Sequence, residues 1–262
     1  MRQLLPEPAE PIDPIAAHAA AARPRPDDRP WVVCNLIASV DGATAVDGVS
    51  GPLGGDGDRA VFTALRAVAD VILAAAGTVR AETYGPPRTP EAQQRERLTR
   101  GQQRWPRLAV VTRSLDLDLD TPLFTENPVA PIVITTRDAD PDRRSAVAER
   151  ATVVTAGDGG VDLADALRAL SDQGDVILCE GGPSLNGQLV ADGLVDELCL
   201  TVAPVLANGR SARILHHGSS SLTGLHLAHL WEEDDTLFHR YVRTESPHPP
   251  GPAHNEAGTT SR

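Results

Sequence analysis

The sequence predicts an α/β protein with a mostly parallel central sheet, helices on both faces and an antiparallel C-terminal end. Six short apolar runs of strand type alternate with helix-like stretches between residues 31 and 185, which is typical of parallel strands joined by crossover helices. The last two strand-like runs are separated only by a loop, which predicts antiparallel pairing there. Because both ends look unstructured, the 262 residues fit one large domain.

The individual elements follow from local patterns. Residues 1–30 are rich in proline, alanine and charge, and they predict an arm on the body with a short helix near residues 15–22. The spacing of Val61, Leu65 and Val68 places one apolar stripe on a helix that faces the sheet. The strand-like runs are residues 31–37, 71–73, 108–112, 132–135, 152–154 and 176–179, then 197–205, 225–230 and 236–242.

Two stretches lack a regular apolar period. Residues 85–105 are polar, with prolines and several arginines, and predict a long loop with a helical piece that can cover a ligand. Residues 246–262 have the composition of a disordered tail. The predicted organisation is an arm at 1–30, a folded domain at 31–245 and a tail at 246–262.

Composition narrows the class of protein. A net charge of −12 disfavours nucleic acid and anionic membranes as partners, because both need a basic surface. The sequence has no lysine, so a lysine Schiff base is excluded and every fixed positive side chain is an arginine, which suits phosphate recognition. No signal peptide or membrane-length apolar run is present, so the cytoplasm is the expected location. The histidines at 216, 217, 226 and 229 lack metal-site spacing, so we expect surface histidines and no metal.

The most informative stretch is Val176-Ile-Leu-Cys-Glu180-Gly-Gly-Pro-Ser-Leu185. An apolar strand ends at a charged residue, two glycines allow close backbone approach, and Pro183 suits the first position of a helix. The free N–H groups and dipole at such a helix start can hold a pyrophosphate. A tight turn that caps a helix without any ligand uses similar residues, so both interpretations stay open. The spacing is not a Rossmann fingerprint, because the glycine after Gly182 is Gly187.

Three further segments place polar residues at predicted strand ends or on helices. Thr78 can cap a helix that opens after residue 75, and Glu82 is then free for a ligand or for solvent. Arg113 with Ser114 suits a phosphate monoester such as the 2′-phosphate of NADP, although a strand-end arginine is also commonly solvated. Asp41 precedes a glycine, a pair that locally favours a simple turn, and Arg66 can be a surface arginine beside an apolar stripe.

Taken together, four separated motifs resemble the pyrimidine reductases of riboflavin biosynthesis. They are Ala-Ser-Val-Asp-Gly at 38–42, Gly-Thr-Val at 77–79, Glu-Gly-Gly-Pro-Ser-Leu at 180–185, and Leu-Val-Asp-Glu at 194–197 with Pro204. The resemblance spans residues 31–242 and implies a dihydrofolate reductase-like fold, NADPH as cofactor and a homodimer. No zinc-deaminase signature accompanies these motifs, so the resemblance implies the reductase without the deaminase half of some relatives.

The resemblance also implies roles for individual residues. The NADPH phosphates are expected at Thr78, Glu82, Gly181, Gly182, Pro183 and Ser184, with Arg113 and Ser114 near the 2′-phosphate. The phosphorylated pyrimidine is expected against Ser50, Arg66 and Arg88, with the arginines holding its phosphate. Asp41 or Glu180 is expected to be the acid that assists opening of the sugar ring, and bound water is the alternative source of the proton.

The expected reaction is hydride transfer to C1 of the ring-opened ribosyl group of 5-amino-6-(5-phosphoribosylamino)uracil or of its diamino-pyrimidinone precursor. A dihydrofolate reductase-type activity on the same scaffold is the first alternative, with an acid at the pterin in place of the arginines. A nucleotide-binding protein without turnover is the second.

Overall fold

The computed structural model describes residues 1–216 and 222–245, which form a ten-stranded sheet with flanking helices. The strands are β1 (Arg2–Leu5), β2 (Trp31–Ser39), β3 (Val71–Ala75), β4 (Arg107–Val111), β5 (Ile132–Thr135), β6 (Thr152–Thr155), β7 (Val176–Cys179), β8 (Glu197–Ala203), β9 (Leu225–Glu233) and β10 (Thr236–Arg243). The helices are α1 (Pro14–Ala20), α2 (Asp56–Val68), α3 (Ala76–Ala81), α4 (Glu91–Thr99), α5 (Pro122–Thr125), α6 (Pro141–Ala148), α7 (Leu163–Ala169) and α8 (Pro183–Ala191). None of the helices in this described part is long and apolar enough to cross a membrane.

The sheet is parallel in its larger part and antiparallel at one end. Its order is β1-β9-β10-β8-β2-β7-β3-β4-β5-β6. The strands from β8 to β6 pair in parallel, whereas β10 pairs antiparallel with β8 and β9, and β9 pairs antiparallel with β1. The predicted fold class is confirmed, including its antiparallel end and the helix within residues 85–105, which is α4.

Side chains that alternate along the strands build a core on each face of the sheet. On one face, Val32 and Ile177 pack with the apolar residues of α7 and α8, including Leu167 and Leu189. The opposite face carries two clusters, one beneath α2 and one beneath α3, α5 and α6. The stripe of α2 lies in the first of these through Val61 and Leu65, as its spacing predicts. Helices on both faces leave the carboxyl edge of the parallel strands as the place for loops and ligands.

The N-terminal arm is more ordered than its composition predicts. Strand β1 joins the edge of the sheet beside β9, and helix α1 begins at Pro14 behind the N-cap Asp13. The local sequence does not indicate β1, because its pairing partner lies far along the chain, with Arg2 opposite Glu232. The division into arm, domain and tail stays a prediction, and the tail at 246–262 lies outside the described residues.

A buried carboxylate ties this arm to the antiparallel end. Glu197, at the start of β8, is completely buried and accepts paired hydrogen bonds from Arg23 at 2.9 and 3.0 Å and from Arg240 at 2.8 and 2.9 Å. Trp31 Nε1 donates a further bond to it at 3.2 Å. The two guanidinium groups hold the pKa of Glu197 down to about 2 despite the opposing effect of burial.

The expectation that the histidines lie on the surface is wrong for His229. Its ring stacks on buried Trp231 with 4.0 Å between centroids, and buried His18 of α1 meets both rings edge-on. Burial lowers the pKa of His18 to about 3 and that of His229 to about 4. Although His18, Glu197 and Cys199 lie close enough to share a metal, the carboxylate is already bound by two arginines.

Candidate active site

Two adjoining cavities open at the carboxyl ends of β2, β7 and β3. The cradle cavity, of about 630 Å³, is lined by the Gly181–Pro183 segment, by Gly77 and Thr78, and by residues 210–212. The arginine cavity, of about 440 Å³, is lined by Asp58, Phe62, Arg66 and Tyr84. The two cavities share a boundary formed by Asn35, Leu36, Ile37, Ser50, Thr78, Glu82 and Glu180. Two ligands that occupy these cavities therefore meet beside Glu180.

The wall of the cradle cavity is shaped by the two glycines before α8. Gly181 has a φ of +98°, which a side chain disfavours. A Cβ on Gly182 would lie 2.8 Å from Thr78 Oγ1, so the backbone and that hydroxyl are in close approach. Pro183 begins α8, and the first intrahelical bond runs from Asn186 N to Gly182 O at 3.0 Å. The backbone N–H groups of the first turn of α8, before Asn186, have no acceptor within the helix, and such free N–H groups can bind an anion.

Thr78 and Glu82 lie at this cavity, but their local roles differ from the expected ones. The N-cap of α3 is Ala75, so Thr78 lies within the helix and does not cap it. Its hydroxyl is instead turned towards Gly182. Glu82 accepts hydrogen bonds from Ser50 N at 3.2 Å and Ser50 Oγ at 3.1 Å. Glu82 and Ser50 together fix the loop that separates the two cavities.

Glu180 is held by an arginine and a tyrosine. Arg66 donates from Nε and Nη2 to the two carboxylate oxygens, both at 2.7 Å, and Tyr84 Oη donates at 2.6 Å. The side chain of Glu180 is 3% exposed and that of Arg66 is 23% exposed. Burial and the adjacent carboxylate raise the pKa of Tyr84, so the phenol stays protonated. The guanidinium of Arg66 also lies over the Phe62 ring, 4.2 Å from its centroid.

Asp41 supports a loop and does not line either cavity. Its carboxylate accepts bonds from Ser39 Oγ at 2.5 Å, Ala207 N at 3.0 Å and Asn208 N at 2.8 Å. These bonds, led by the one from Ser39, lower the pKa of Asp41 to about 2. The bonded loop continues to residues 210–212, which line the cradle cavity. Asp41 therefore shapes that wall from behind.

Arg113 and Arg88, both predicted to bind phosphate, lie in different places outside the two main cavities. Arg113 and Ser114 line a third cavity of about 360 Å³ together with Arg143, whose side chain bonds Ser114 O at 3.1 Å. Arg88 lines neither the cradle cavity nor the arginine cavity. It forms an exposed ion pair with Glu126 at 2.8 Å. The structure thus brings Ser50 and Arg66 to the arginine cavity and leaves Arg88 away from it.

Among the cavity residues that were missed at the sequence level, Asn35 and Asp58 left a local signal and Tyr84 did not. Asn35 is a polar residue within the apolar run of β2. Asp58 precedes Phe62 and Arg66 at intervals of four residues on α2, which places all three on one helix face. Tyr84 is one of only two tyrosines in the chain. Its contact with Glu180 joins segments 96 residues apart, which local patterns do not reveal.

The site thus consists of paired cavities at the carboxyl edge of a mostly parallel sheet with an antiparallel end. The model of the RibD C-terminal domain family matches residues 30–237. The chain therefore belongs to the RibD C-terminal domain family, and it is a reductase of the riboflavin biosynthesis type. This confirms the family that the four motifs resemble.

Individual relatives support the same assignment. The chain is 33% identical to a 2,5-diamino-6-ribosylamino-4(3H)-pyrimidinone 5′-phosphate reductase of Methanothermobacter thermautotrophicus, over 72% of this chain and 85% of that one. It is 30% identical to the riboflavin biosynthesis protein RibD of Mycobacterium tuberculosis over 74% of this chain, and it spans 48% of that relative's length. A crystal structure of a pyrimidine reductase-like protein from Corynebacterium diphtheriae superposes with a TM-score of 0.80 at 28% identity, covering 90% of this chain and 100% of that one.

Proposed function

We propose that this chain reduces the ribosyl group of 2,5-diamino-6-ribosylamino-4(3H)-pyrimidinone 5′-phosphate to ribityl, with NADPH as the reductant. The observation that carries the proposal is the meeting of two cavities at Glu180, one with an anion-binding helix start and one with an arginine. The diamino form is favoured because the Methanothermobacter relative, which the chain covers over most of its length, bears that name. The deaminated uracil is the second candidate substrate.

The cradle cavity fits a dinucleotide. The glycine pair gives a ligand access to backbone N–H groups, and Thr78 Oγ1 adds a hydroxyl 2.8 Å from where a Cβ of Gly182 would stand. We assign the pyrophosphate to residues 181–184 and the 2′-phosphate to Arg113, Ser114 and Arg143 in the third cavity. When bound, NADPH supplies a hydride, and the residues of the chain orient it and exclude water. Glu82 supports this site through Ser50 rather than by touching a phosphate.

The arginine cavity fits the phosphorylated sugar. Two donors of Arg66 are engaged by Glu180, which fixes the plane of the guanidinium, and its remaining N–H groups are available to a phosphate. Glu180 in turn keeps its carboxylate beside the shared boundary, where the sugar hydroxyls are expected. Because both carboxylate oxygens of Glu180 already accept hydrogen bonds, we assign it a role in orienting Arg66 and the substrate.

A homodimer in the cytoplasm is the proposed assembly and location. Leu222 and Leu225 are exposed and line an apolar groove of about 260 Å³ with Leu198 and Val195. Exposed apolar surface of this kind is suited to a second copy of the chain. Sedimentation velocity of the purified protein tests this assembly, and a single monomeric species at micromolar concentration would rule it out.

The activity is tested by mixing the purified protein with NADPH and each pyrimidine in turn and following the loss of reduced-cofactor absorbance. Dihydrofolate serves as the comparison substrate. We expect turnover with the diamino-pyrimidinone, weaker or no turnover with the uracil, and none with dihydrofolate. Consumption with dihydrofolate alone would favour the first alternative, and NADPH binding without consumption would favour a non-catalytic binder.

Two variants separate the cavities. Gly182→Ala places a methyl group against Thr78 Oγ1 and should weaken NADPH about tenfold or more, or about 1.4 kcal/mol. Arg66→Ala should raise the KM for the phosphorylated pyrimidine by a larger factor than the Kd for NADPH. Equal weakening of both ligands by Arg66→Ala would contradict the assignment of the two cavities.

A further inference from the structure

We propose that Asp58 is the proton donor for opening of the substrate's ribose ring. The inference rests on the proposed function and deepens it by naming the acid that neither Asp41 nor Glu180 supplies. It starts from the position of Asp58 in the first turn of α2, where its side chain lines the arginine cavity together with Phe62, Arg66 and Glu180.

The contacts of Asp58 leave it suited to carry a proton. Thr201 Oγ1, on β8, donates to Asp58 Oδ1 at 2.7 Å. The second oxygen, Oδ2, lies towards Gly54, where a Cβ would stand 3.0 Å away. Among the described residues, no arginine or histidine forms an ion pair with Asp58. The hydrogen bond from Thr201 fixes one oxygen and leaves the other as the site for a proton.

The two other acids that line the arginine cavity are engaged by neighbouring groups, and so is Asp41 behind the cradle cavity. Glu180 accepts two bonds from Arg66 and one from Tyr84, so both of its carboxylate oxygens are engaged. Asp41 has a pKa of about 2 and faces the loop at 207–208. Glu82 accepts both bonds from Ser50. Asp58 is the carboxyl group of the arginine cavity that is not tied to a cation or to two donors.

The environment of Asp58 favours its protonated form. Burial raises its pKa, while Thr201 and Arg59 act in the opposite direction with smaller effect. The other titratable groups that line the same cavity are Arg59, Arg66, Glu180, Tyr84 and Glu82. Arg66 and Glu180 neutralise each other, and two anionic ligands in the adjoining cavities would add negative charge and remove water. Both effects raise the pKa of Asp58 further when the site is filled.

The proton accounts for the chemistry of ring opening. The substrate's exocyclic nitrogen pushes its lone pair towards C1 of the ribose, the bond from C1 to the ring oxygen breaks, and that oxygen takes the proton of Asp58 to become a hydroxyl. The resulting iminium carbon accepts the hydride, which leaves a neutral secondary amine and NADP⁺. Asp58 is left as a carboxylate and regains a proton from solvent. The overall reaction consumes one NADPH and one proton, so charge and atoms balance.

The test compares Asp58→Asn, Thr201→Val and the wild-type protein in the NADPH-consumption assay from pH 5 to 9. Asp58→Asn should lower kcat by a factor of about 100 or more, as expected for loss of a general acid. NADPH affinity, measured by fluorescence titration, should stay within about threefold of wild type, since the variant's defect is in proton transfer. Thr201→Val removes a hydrogen bond that favours the carboxylate, so the pH at which activity declines on the alkaline side should move upwards.

Asp56→Asn is the matched control. Asp56 lies in the same first turn of α2, is exposed and pairs with Arg59, so this change has the same effect on helix charge but removes no side chain that lines the cavity. It should retain wild-type kcat. The inference is overturned if Asp58→Asn binds NADPH normally and retains kcat, or if Thr201→Val leaves the alkaline limb in place. Absence of turnover by the wild-type protein with either pyrimidine would instead remove the proposed function, so the two failures are distinguishable.

Discussion

Glu180 and Glu197 are both buried carboxylates held by arginines, yet they occupy opposite kinds of surroundings. Glu180 follows the last residue of a parallel strand and borders two cavities, with one arginine and one tyrosine as partners. Glu197 begins a strand at the junction with the antiparallel end and is enclosed by two arginines and a tryptophan. The Arg66 side chain is 23% exposed, against 6% and 9% for Arg23 and Arg240.

The difference shows what a buried ion pair is used for in this fold. Around Glu197 the two arginines donate to the carboxylate and to backbone carbonyls of the arm, so the cluster joins the arm to the sheet. Around Glu180 the guanidinium keeps donors on its open side, which lets the same chemistry recognise a phosphate. We therefore expect changes at Glu197 to alter stability and changes at Glu180 to alter turnover.

The largest expected effect is on stability, in Glu197→Gln. Removing this charge leaves the buried guanidinium groups of Arg23 and Arg240 without their partner, which costs about 3–5 kcal/mol of unfolding free energy. Urea unfolding measures it. The matched control is Asp175→Asn, which breaks the exposed pair with Arg25 and should cost about 1 kcal/mol or less. A loss at Glu197 no larger than the control would remove its assigned role.

The next effect is on turnover, in Glu180→Gln. This substitution keeps the shape of the side chain but removes the charge that orients Arg66, and it should lower kcat/KM by about 100-fold, or about 2.7 kcal/mol. Tyr84→Phe removes one of the three bonds to Glu180 and should give a smaller loss. Steady-state kinetics with the pyrimidine substrate measure both. If Glu180→Gln lost stability while retaining kcat/KM, the contrast with Glu197 would not hold.

A third effect concerns the dependence of stability on pH and involves His18 in the arm. Because the pKa of His18 is lowered to about 3, the folded protein holds this ring neutral while the unfolded chain protonates it below its ordinary pKa of about 6.5. Stability is therefore complete above about pH 6.5 and falls as the pH decreases towards 3, by about 1.4 kcal/mol per pH unit for this one proton.

Thermal unfolding at several pH values checks this in wild type and in His18→Gln, which should show a shallower decline. His226→Gln, on exposed residue 226 of β9, is the matched control and should change the decline less. An identical pH dependence in wild type and His18→Gln would show that the arm does not carry this proton.

How far the sequence could predict these two regions follows from the range of their contacts. The strand-to-helix turn that lines the cradle cavity was predictable, because Glu180 to Leu185 are consecutive residues and their pattern is local. The partners of Glu180 were not, because Tyr84 and Arg66 are 96 and 114 residues away. The attachment of the arm to the sheet could not be predicted for the same reason. Arg23 lies 174 residues from Glu197, and neither residue carries a local pattern that links it to the other. Spacing on one helix would have indicated Asp58, since it shares a face with Arg66.

The smallest expected effect is in Arg88→Ala. The exposed pair of Arg88 with Glu126 is expected neither to stabilise the fold, as the Glu197 cluster does, nor to bind substrate, as the Arg66–Glu180 pair does. Arg88 was expected at the substrate phosphate, but its guanidinium is exposed and pairs with Glu126 on the surface. Removal should change kcat/KM by less than about twofold and stability by about 1 kcal/mol or less, because solvent screens such a pair. Kinetics of Arg88→Ala beside Arg66→Ala measure this. A rise in the substrate KM as large as that in Arg66→Ala would mean that Arg88 reaches the phosphate when substrate binds, and the arginine cavity would then extend to the segment that carries it.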